Sequence, residues 1–355
     1  MLEAHLNSVG TATPPHDVHQ GFVRFARGSL DEKRDRSVFD RMAGRARISH
    51  RYAVIPVDGD GSGDALDGHG IYRRGAFPST AKRMRLYEDH ALRLALAAID
   101  ALRAKTPLGQ VTHLVVTSCT GFYAPGLDHA LVAALELPTS VERTMVGFMG
   151  CSAAMNALKL ARHIVRSEPS ARVLLVNLEL CSLHLQEVDT LEKMLSFLLF
   201  ADGCAASLVT ADPVGLALDS FRAVTLPATG DLITWHVGDS GFDMHLSGRV
   251  PGAVAAGLDS AASTILGGAS ASSIQRWAVH PGGRSVLEAV ERGLGLNSSE
   301  LGYSWDVLEK YGNMSSATIS FVLEAILRDA QADERGCAMA FGPGLTAETM
   351  LFHKV

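Results

Sequence analysis

Gly147-Phe148-Met149-Gly150-Cys151-Ser152-Ala153-Ala154-Met155-Asn156-Ala157-Leu158 is the stretch on which the reading of the fold turns. A glycine-bearing turn runs straight into an apolar helical segment, and Cys151 stands at the junction. Unpaired backbone N–H groups and the positive end of the macrodipole at a helix N-terminus favour a thiolate over a thiol. Cys151 is therefore a candidate nucleophile near neutral pH. The plainer alternative is an inert, buried cysteine.

Outward from this junction, strands and helices alternate. Residues 111–117 read as a buried strand, 153–165 as a buried helix and 172–180 as another strand. A second set follows: a short strand over 276–280, helices over 285–294 and 315–327, and a last strand over 337–341. Such alternation predicts an α/β protein. The two sets are alike in kind, each with a strand, a glycine turn and a helix that begins on a polar residue. Asp212-Pro213-Val214-Gly215 is the expected seam, which divides the chain into halves 1–213 and 214–355. The Gly- and Asp-rich stretch from Pro56 to Pro78 reads as a surface excursion. Within it, Asp58-x-Asp60-x-Ser62-Gly63 imitates the start of a calcium loop, but His69 occupies the twelfth position, where a bidentate Glu is required. A solvated loop is the better reading, and no metal site is expected.

Composition sets the outer limits. A chain of 355 residues, 47% hydrophobic, has enough apolar mass for a large core and a buried subunit interface. A net charge of −6 gives no electrostatic case for nucleic acid or an anionic membrane. Five widely spaced cysteines without a C-x-x-C pair fit reduced thiols in the cytoplasm better than a disulfide framework or a zinc site. The first residues lack the basic and apolar pattern of a signal peptide. No apolar run approaches the length of a membrane span, so no membrane insertion is expected. P-loop and dinucleotide-type glycine motifs are absent.

Two further segments carry chemistry. In Trp277-Ala278-Val279-His280-Pro281-Gly282-Gly283, proline pushes His280 into an extended conformation at the tip of a strand. The glycine pair lets another backbone or a substrate come close. In Tyr311-Gly312-Asn313-Met314-Ser315-Ser316-Ala317, Asn313 is first of all a good helix N-cap. Taken singly, both residues have ordinary structural readings. Together, Cys151, His280 and Asn313 each occupy a junction between elements, where α/β folds present side chains to substrates. A thiolate can take an acyl group, and a His with an Asn can hold an oxyanion.

The chain resembles the type III polyketide synthases, the chalcone and stilbene synthase family, which have the thiolase-type fold. The likeness rests on Gly150-Cys151, the 278–283 segment, the 311–317 segment, Leu199-Phe200-Ala201-Asp202-Gly203 and Phe341-Gly342-Pro343-Gly344-Leu345, in that family's order over essentially the whole chain. It implies two similar α/β halves in a layered αβαβα core, a homodimer, and an acyltransferase that needs no cofactor because its CoA thioesters are substrates. By the same resemblance, Cys151 takes the acyl group from an acyl-CoA starter. His280 and Asn313 hold the malonyl-CoA carbonyl through decarboxylation and the resulting enolate, and His280 pairs with Cys151 as an ion pair. Phe200 resembles the gatekeeper between the CoA tunnel and the cavity, Ser315 is expected on the cavity wall, and Phe341 begins the loop that shapes the cavity floor. Arg41 and Arg45, four residues apart, match part of a basic segment at the CoA entrance, although Val38 stands where that segment has its first lysine.

The cavity positions depart from the chalcone-type pattern. Cys119, Cys181 and His184 replace threonines, and Met244 replaces a phenylalanine. Trp235 stands where glycine is usual, and Ala124 where a methionine reaches across the dimer. The run Glu179-Leu180-Cys181-Ser182-Leu183-His184 resembles bacterial and fungal members that use fatty acyl starters and make alkylpyrones or alkylresorcinols. Small Ala124 and Cys119 are expected to open an apolar slot, while Trp235 closes the usual cyclisation space. The rival readings are a ketoacyl synthase III-like enzyme fed by an acyl carrier protein, a hydroxymethylglutaryl-CoA synthase, which lacks a convincing glutamate base here, and a catalytically dead scaffold.

Overall fold

The computed structural model describes residues 2–30, 32–57, 64–187 and 190–355. The calcium-like run from Asp58 to Gly63 lies outside the described residues. Among the described residues, the strands are β1 His5–Ala12, β2 His16–Asp17, β3 Tyr52–Ala53, β4 His113–Ser118, β5 Glu142–Gly147, β6 Val173–Leu180, β7 Asp202–Thr210, β8 Leu216–Thr225, β9 Ile233–Gly238, β10 Gly241–Leu246, β11 Arg276–Val279, β12 Arg335–Gly342 and β13 Thr346–Lys354. The helices are α1 His19–Ser29, α2 Lys33–Arg45, α3 Thr80–Arg103, α4 Leu127–Ala134, α5 Ala153–Ser167, α6 Leu191–Phe197, α7 Val250–Ile265, α8 Arg284–Leu294, α9 Gly302–Tyr311 and α10 Thr318–Asp329.

Nine strands form one sheet in the order β11-β12-β13-β8-β1-β7-β6-β4-β5. It is two similar sheets joined at a narrow seam. In the N-terminal half β4 runs parallel to β6, then β6, β7 and β1 are antiparallel neighbours. In the C-terminal half β11 runs parallel to β12, then β12, β13 and β8 are antiparallel neighbours. The halves meet where His5 pairs with Ala217 and Leu6 with Leu216.

The reason for the layering lies in which strands read as apolar throughout. Every residue of β6, Val-Leu-Leu-Val-Asn-Leu-Glu-Leu, is buried, as a strand covered on both faces must be. One cover is α3, against β1, β6 and β7. The other is α5, whose residues Ala154, Leu158, Ala161 and Val165 repeat at helical spacing and are buried. α5 and α10 touch strands of both halves, and their apolar faces share one core with β1, β7, β12 and β13. They form the central layer, with α3 outside one sheet and α7 and α8 outside the other. The expected αβαβα order is therefore present.

Boundaries moved slightly. The strand expected from residue 111 begins at His113, and the helix expected from 315 opens with a 3-10 turn, Ser315–Ala317, before α10. The stretch from Pro56 to Pro78 is more than a surface excursion. Leu66, Asp67 and Tyr72 are buried. The Asp67 carboxylate accepts the backbone N–H groups of His69, Ile71 and Tyr72, and the Tyr72 hydroxyl donates to Ser182 O. Polar composition concealed an inward anchor. No helix among the described residues is long and apolar enough to cross a membrane.

Candidate active site

The pseudo-repeat brings the chemistry together. Cys151 precedes the first turn of α5, and Asn313 precedes the 3-10 turn that leads into α10. Both central helices therefore begin beside one cavity. His280 follows β11, and Cys119 follows β4, the strand in the equivalent place of the other half. Cys119, Cys151, His280, Asn313 and Ser315 all line this cavity. The empty space around these groups, counting the part open to solvent, is about 930 Å³.

Gly150 permits the nucleophile turn. Its φ is +57°, and a Cβ there would lie 2.6 Å from Pro343 Cδ, so the turn nests against the 341–345 loop. A Cβ on Gly342 would in turn overlap Ser152 Oγ. The close backbone approach expected of this loop is present. Cys151 Sγ lies 3.8 Å from Ser315 Oγ. Cys119 Sγ accepts the Gly150 N–H at 3.2 Å, which seats a second thiol beside the nucleophile turn.

Asn313 serves as cap and donor together. Its Oδ1 accepts the Ser315 N–H at 2.8 Å, which satisfies an otherwise orphaned donor of the helix start. With Oδ1 so committed, the N–H groups of Nδ2 are the free end, and Nδ2 reaches Gly282 O at 3.2 Å. The expected cap and the expected donor are one residue. His280 is buried, and both of its ring nitrogens lack a hydrogen-bond partner. A buried polar group without a partner costs free energy unless a ligand satisfies it. Burial, with the Glu179 carboxylate adding to it and hydrogen bonds to Ser315 and Asn313 opposing it, pushes the Cys151 thiol up to about 11, while burial alone pushes the His280 imidazole down to about 3. The expected ion pair is thus opposed by desolvation of each partner. The same dry surroundings strengthen the attraction of a thiolate for an imidazolium, and only that attraction can sustain the pair.

The far wall carries the departures from the chalcone-type pattern. Trp235 on β9 and Met244 on β10 are cross-strand partners, and both face the cavity with Cys181 and His184. Trp235 Nε1 donates to Cys119 O at 2.8 Å. His184 Nε2 lies 2.6 Å from Thr120 O, and His184 Nδ1 accepts the Phe242 N–H at 3.0 Å. Burial pushes the His184 imidazole down to about 3, so it is neutral, with its proton on Nε2. Its ring stacks on Phe242 at 4.1 Å and meets Trp235 edge-on. Phe200 and Phe341 also lie on the cavity wall.

Three of the named residues lie off the cavity wall. Ala124 is exposed and is not on the cavity wall. It follows the exposed Phe122 in a loop outside the wall that Cys119 and Thr120 form, so in a single chain it cannot open a slot. Arg41 and Arg45 are exposed on α2, a helix that packs on α6, whose last residue Phe197 reaches the cavity.

One buried carboxylate enters the sequence reading only as the first residue of the run that ends at His184. Glu179 is fully buried and accepts from Cys119 N, Thr120 Oγ1 and Ser316 Oγ. Burial pushes its carboxyl up to about 7 despite these donors. The signal was a glutamate inside a strand that is otherwise apolar, save for Asn177.

Two family models match the chain. The chalcone and stilbene synthase N-terminal domain covers residues 2–213, and the C-terminal domain covers 218–355. A Mycobacterium tuberculosis protein named alpha-pyrone synthesis polyketide synthase-like Pks18 is 36% identical over 98% of this chain and 91% of its own length. The crystal structure of PKS-I from the brown alga Ectocarpus siliculosus superposes with a TM-score of 0.87 at 29% identity, covering 99% of this chain and 98% of that one. CsyB complexed with CoA-SH gives 0.85 at 24% identity, over 99% and 100%, and shares the fold. With a thiol, an imidazole and a carboxamide meeting in one apolar cavity between two thiolase-like halves, the chain belongs to the chalcone and stilbene synthase family and is a type III polyketide synthase.

Proposed function

We propose that this synthase loads a fatty acyl-CoA starter on Cys151, extends it with malonyl-CoA and closes the product as an alkylpyrone or alkylresorcinol. In the loading step the Cys151 sulfur attacks the thioester carbon, its proton passes to His280, and CoA leaves as the thiol after taking that proton. Malonyl-CoA then loses CO₂, and the electron pair of the broken bond becomes an enolate. The enolate oxygen accepts from the His280 ring and from Asn313 Nδ2, donors already placed and in the case of His280 unsatisfied. The enolate carbon attacks the acyl carbon, and Cys151 departs as thiolate. The chain, two carbons longer, is held as its CoA thioester. Lactonisation by an enol oxygen gives the pyrone; aldol closure gives the ring of the resorcinol.

The observation that carries the reading is the pair of unpartnered His280 nitrogens beside Cys151 and Asn313. The long, apolar starter is supported by a wall of Cys181, Phe197, Ile233, Met244 and Leu246, at roughly 0.8 kcal/mol for each buried CH₂. The name of the mycobacterial relative favours the pyrone. CoA is the proposed carrier, with Arg41 and Arg45 proposed as phosphate contacts at the entrance. CsyB, of the same fold, was solved with CoA-SH. A second copy of the chain is the proposed partner. Phe122, Met145, Phe148 and Met149 are each 37–41% exposed around the free edge of β5, close to Ala124. In such a dimer Ala124 would act on the partner's cavity rather than its own. A cytoplasmic setting is proposed from the free thiols.

The test is to incubate the purified protein with malonyl-CoA and acyl-CoAs from butyryl to stearoyl and an aromatic acyl-CoA, with malonyl carrier protein as the competing extender. Products are read by mass spectrometry. Turnover that rises with starter length up to about 12–18 carbons supports the slot, whereas equal turnover with short or aromatic starters removes it. Light scattering at a monomer mass would remove the dimer.

A further inference from the structure

Among the described residues, no carboxylate pairs with the buried Arg51 guanidinium, although its backbone N–H donates to Asp17 Oδ1 at 3.4 Å. Arg51 is 3% exposed, and burial pushes it down to about 9 while Asp17 and Asp202 act only at longer range. Arginine is almost never fully buried without a partner, so its placement calls for a reason. Its Nε donates to His19 Nδ1 at 3.0 Å, and its guanidinium lies over the Phe22 ring at 4.6 Å. Its Nη1 donates to two carbonyl oxygens, Phe200 O at 2.7 Å and Phe197 O at 3.1 Å. Both of those residues line the catalytic cavity.

The segment that Arg51 grips is also the one that holds Asn313. Asn313 N donates to Leu199 O at 2.8 Å, and Ala201 N donates to Asn313 O at 2.9 Å, so Phe200 and Asn313 pair as a parallel bridge. From the other side, a Cβ on Gly312 would lie 2.8 Å from Arg51 Cγ, so the arginine stem fills the space beneath the turn that presents Asn313. One side chain thus braces the 197–200 turn and the 312–313 turn against each other.

We propose that Arg51 is a positioning residue that sets the distance between Phe200 and the Asn313 carboxamide, and thereby couples decarboxylation of the extender to condensation. The inference rests on the reading that Asn313 holds the extender carbonyl. A donor displaced by about 1 Å is enough to cost on the order of a hundredfold in rate. Arg51→Met removes both carbonyl contacts. Arg51→Lys keeps the charge and can reach one of them.

The experiment compares kcat and KM for malonyl-CoA, and the ratio of acetyl-CoA released to product extended, in the parent, R51M, R51K and N313A, with thermal midpoints alongside. The expected result for R51M is a kcat lower by about ten- to a hundredfold, a KM within about twofold, and a higher ratio of acetyl-CoA to product. R51K should recover part of the kcat and of the ratio. If R51M is too unstable to assay, R51K alone decides: its ratio must rise above that of the parent. A ratio equal to the parent's in the folded variants, whatever their melting points, overturns the proposal and marks Arg51 as structural. Parent-level decarboxylation in N313A overturns instead the underlying reading of Asn313.

Discussion

The two halves of the molecule offer the same frame and load it differently. In each, the tip of a strand parallel to its neighbour and the start of a central helix face the cavity. The N-terminal half places sulfur at both positions, Cys119 after β4 and Cys151 before α5. The C-terminal half places N–H donors at both, His280 after β11 and Asn313 before α10. Carbon–carbon bond formation requires an acyl acceptor and a stabilised enolate, and in the mechanism proposed above each half supplies one. The pseudo-symmetric fold explains why groups separated by well over a hundred residues meet.

This division of labour can be broken first at the nucleophile. Cys151→Ala should lower polyketide formation by about 10⁴-fold or more yet leave decarboxylation of malonyl-CoA intact, because the enolate donors belong to the other half. Loss of CO₂ release in step with product would show that the halves do not divide the work this way. The converse change is Asn313→Asp, whose carboxylate can still cap α10 but offers no N–H. CO₂ release and product should fall together by about 10²–10³-fold, with the melting temperature little changed.

A smaller effect sharpens the link between the halves. With His280→Ala the thiol is left with burial and the Glu179 charge, which outweigh the hydrogen bonds to Ser315 and Asn313 and hold it at about 11, so about one molecule in 10⁴ is thiolate at pH 7. Alkylation of Cys151 by iodoacetamide should then be slower than in the parent at pH 7 and rise about tenfold per pH unit up to pH 9. The parent, whose proton can pass to His280, should show a plateau over that range. Identical profiles would mean that His280 contributes nothing to the sulfur. The smallest expected effect lies on the far wall. Trp235→Ala deletes the hydrogen bond to Cys119 O and a large side chain, so product length should shift while total turnover stays within about tenfold. An unchanged product mixture would detach the β9–β10 hairpin from specificity.

The near wall was legible from the sequence because its residues sit in contiguous motifs at element junctions. Asn313 can be read both as a cap and as a donor; the cap is present, and its Nδ2 is left for the proposed role. The far wall was legible only as substitutions within a resemblance. That Trp235 and Met244 face each other is a matter of hairpin register, which their separation in the chain does not disclose. Ala124 matches a position that reaches across the dimer, and within a single chain it lies off the cavity wall. Arg51, Arg83 and Glu179 were not singled out as functional, since each works by gripping backbone or hydroxyl groups from distant segments. Arg83, for example, is buried and donates to the carbonyls of Leu183 and Leu185, on either side of His184. Such roles depend on which carbonyls end up unpaired, and that is settled only when the chain has folded.

Gly150, Gly342 and Gly312 come from three separate segments, and each abuts a neighbour that leaves no room for a methyl group. Around the nucleophile, then, a lone replacement jams the packing unless a second, compensating change arrives with it. The far wall is made of side chains instead, Trp235 and Met244 on the hairpin and Cys181 after β6, so one codon there alters the cavity's shape with no glycine turn to jam. Descendants of this chain should therefore diversify their products by drifting along that side, while the reacting centre stays frozen by its own tight assembly.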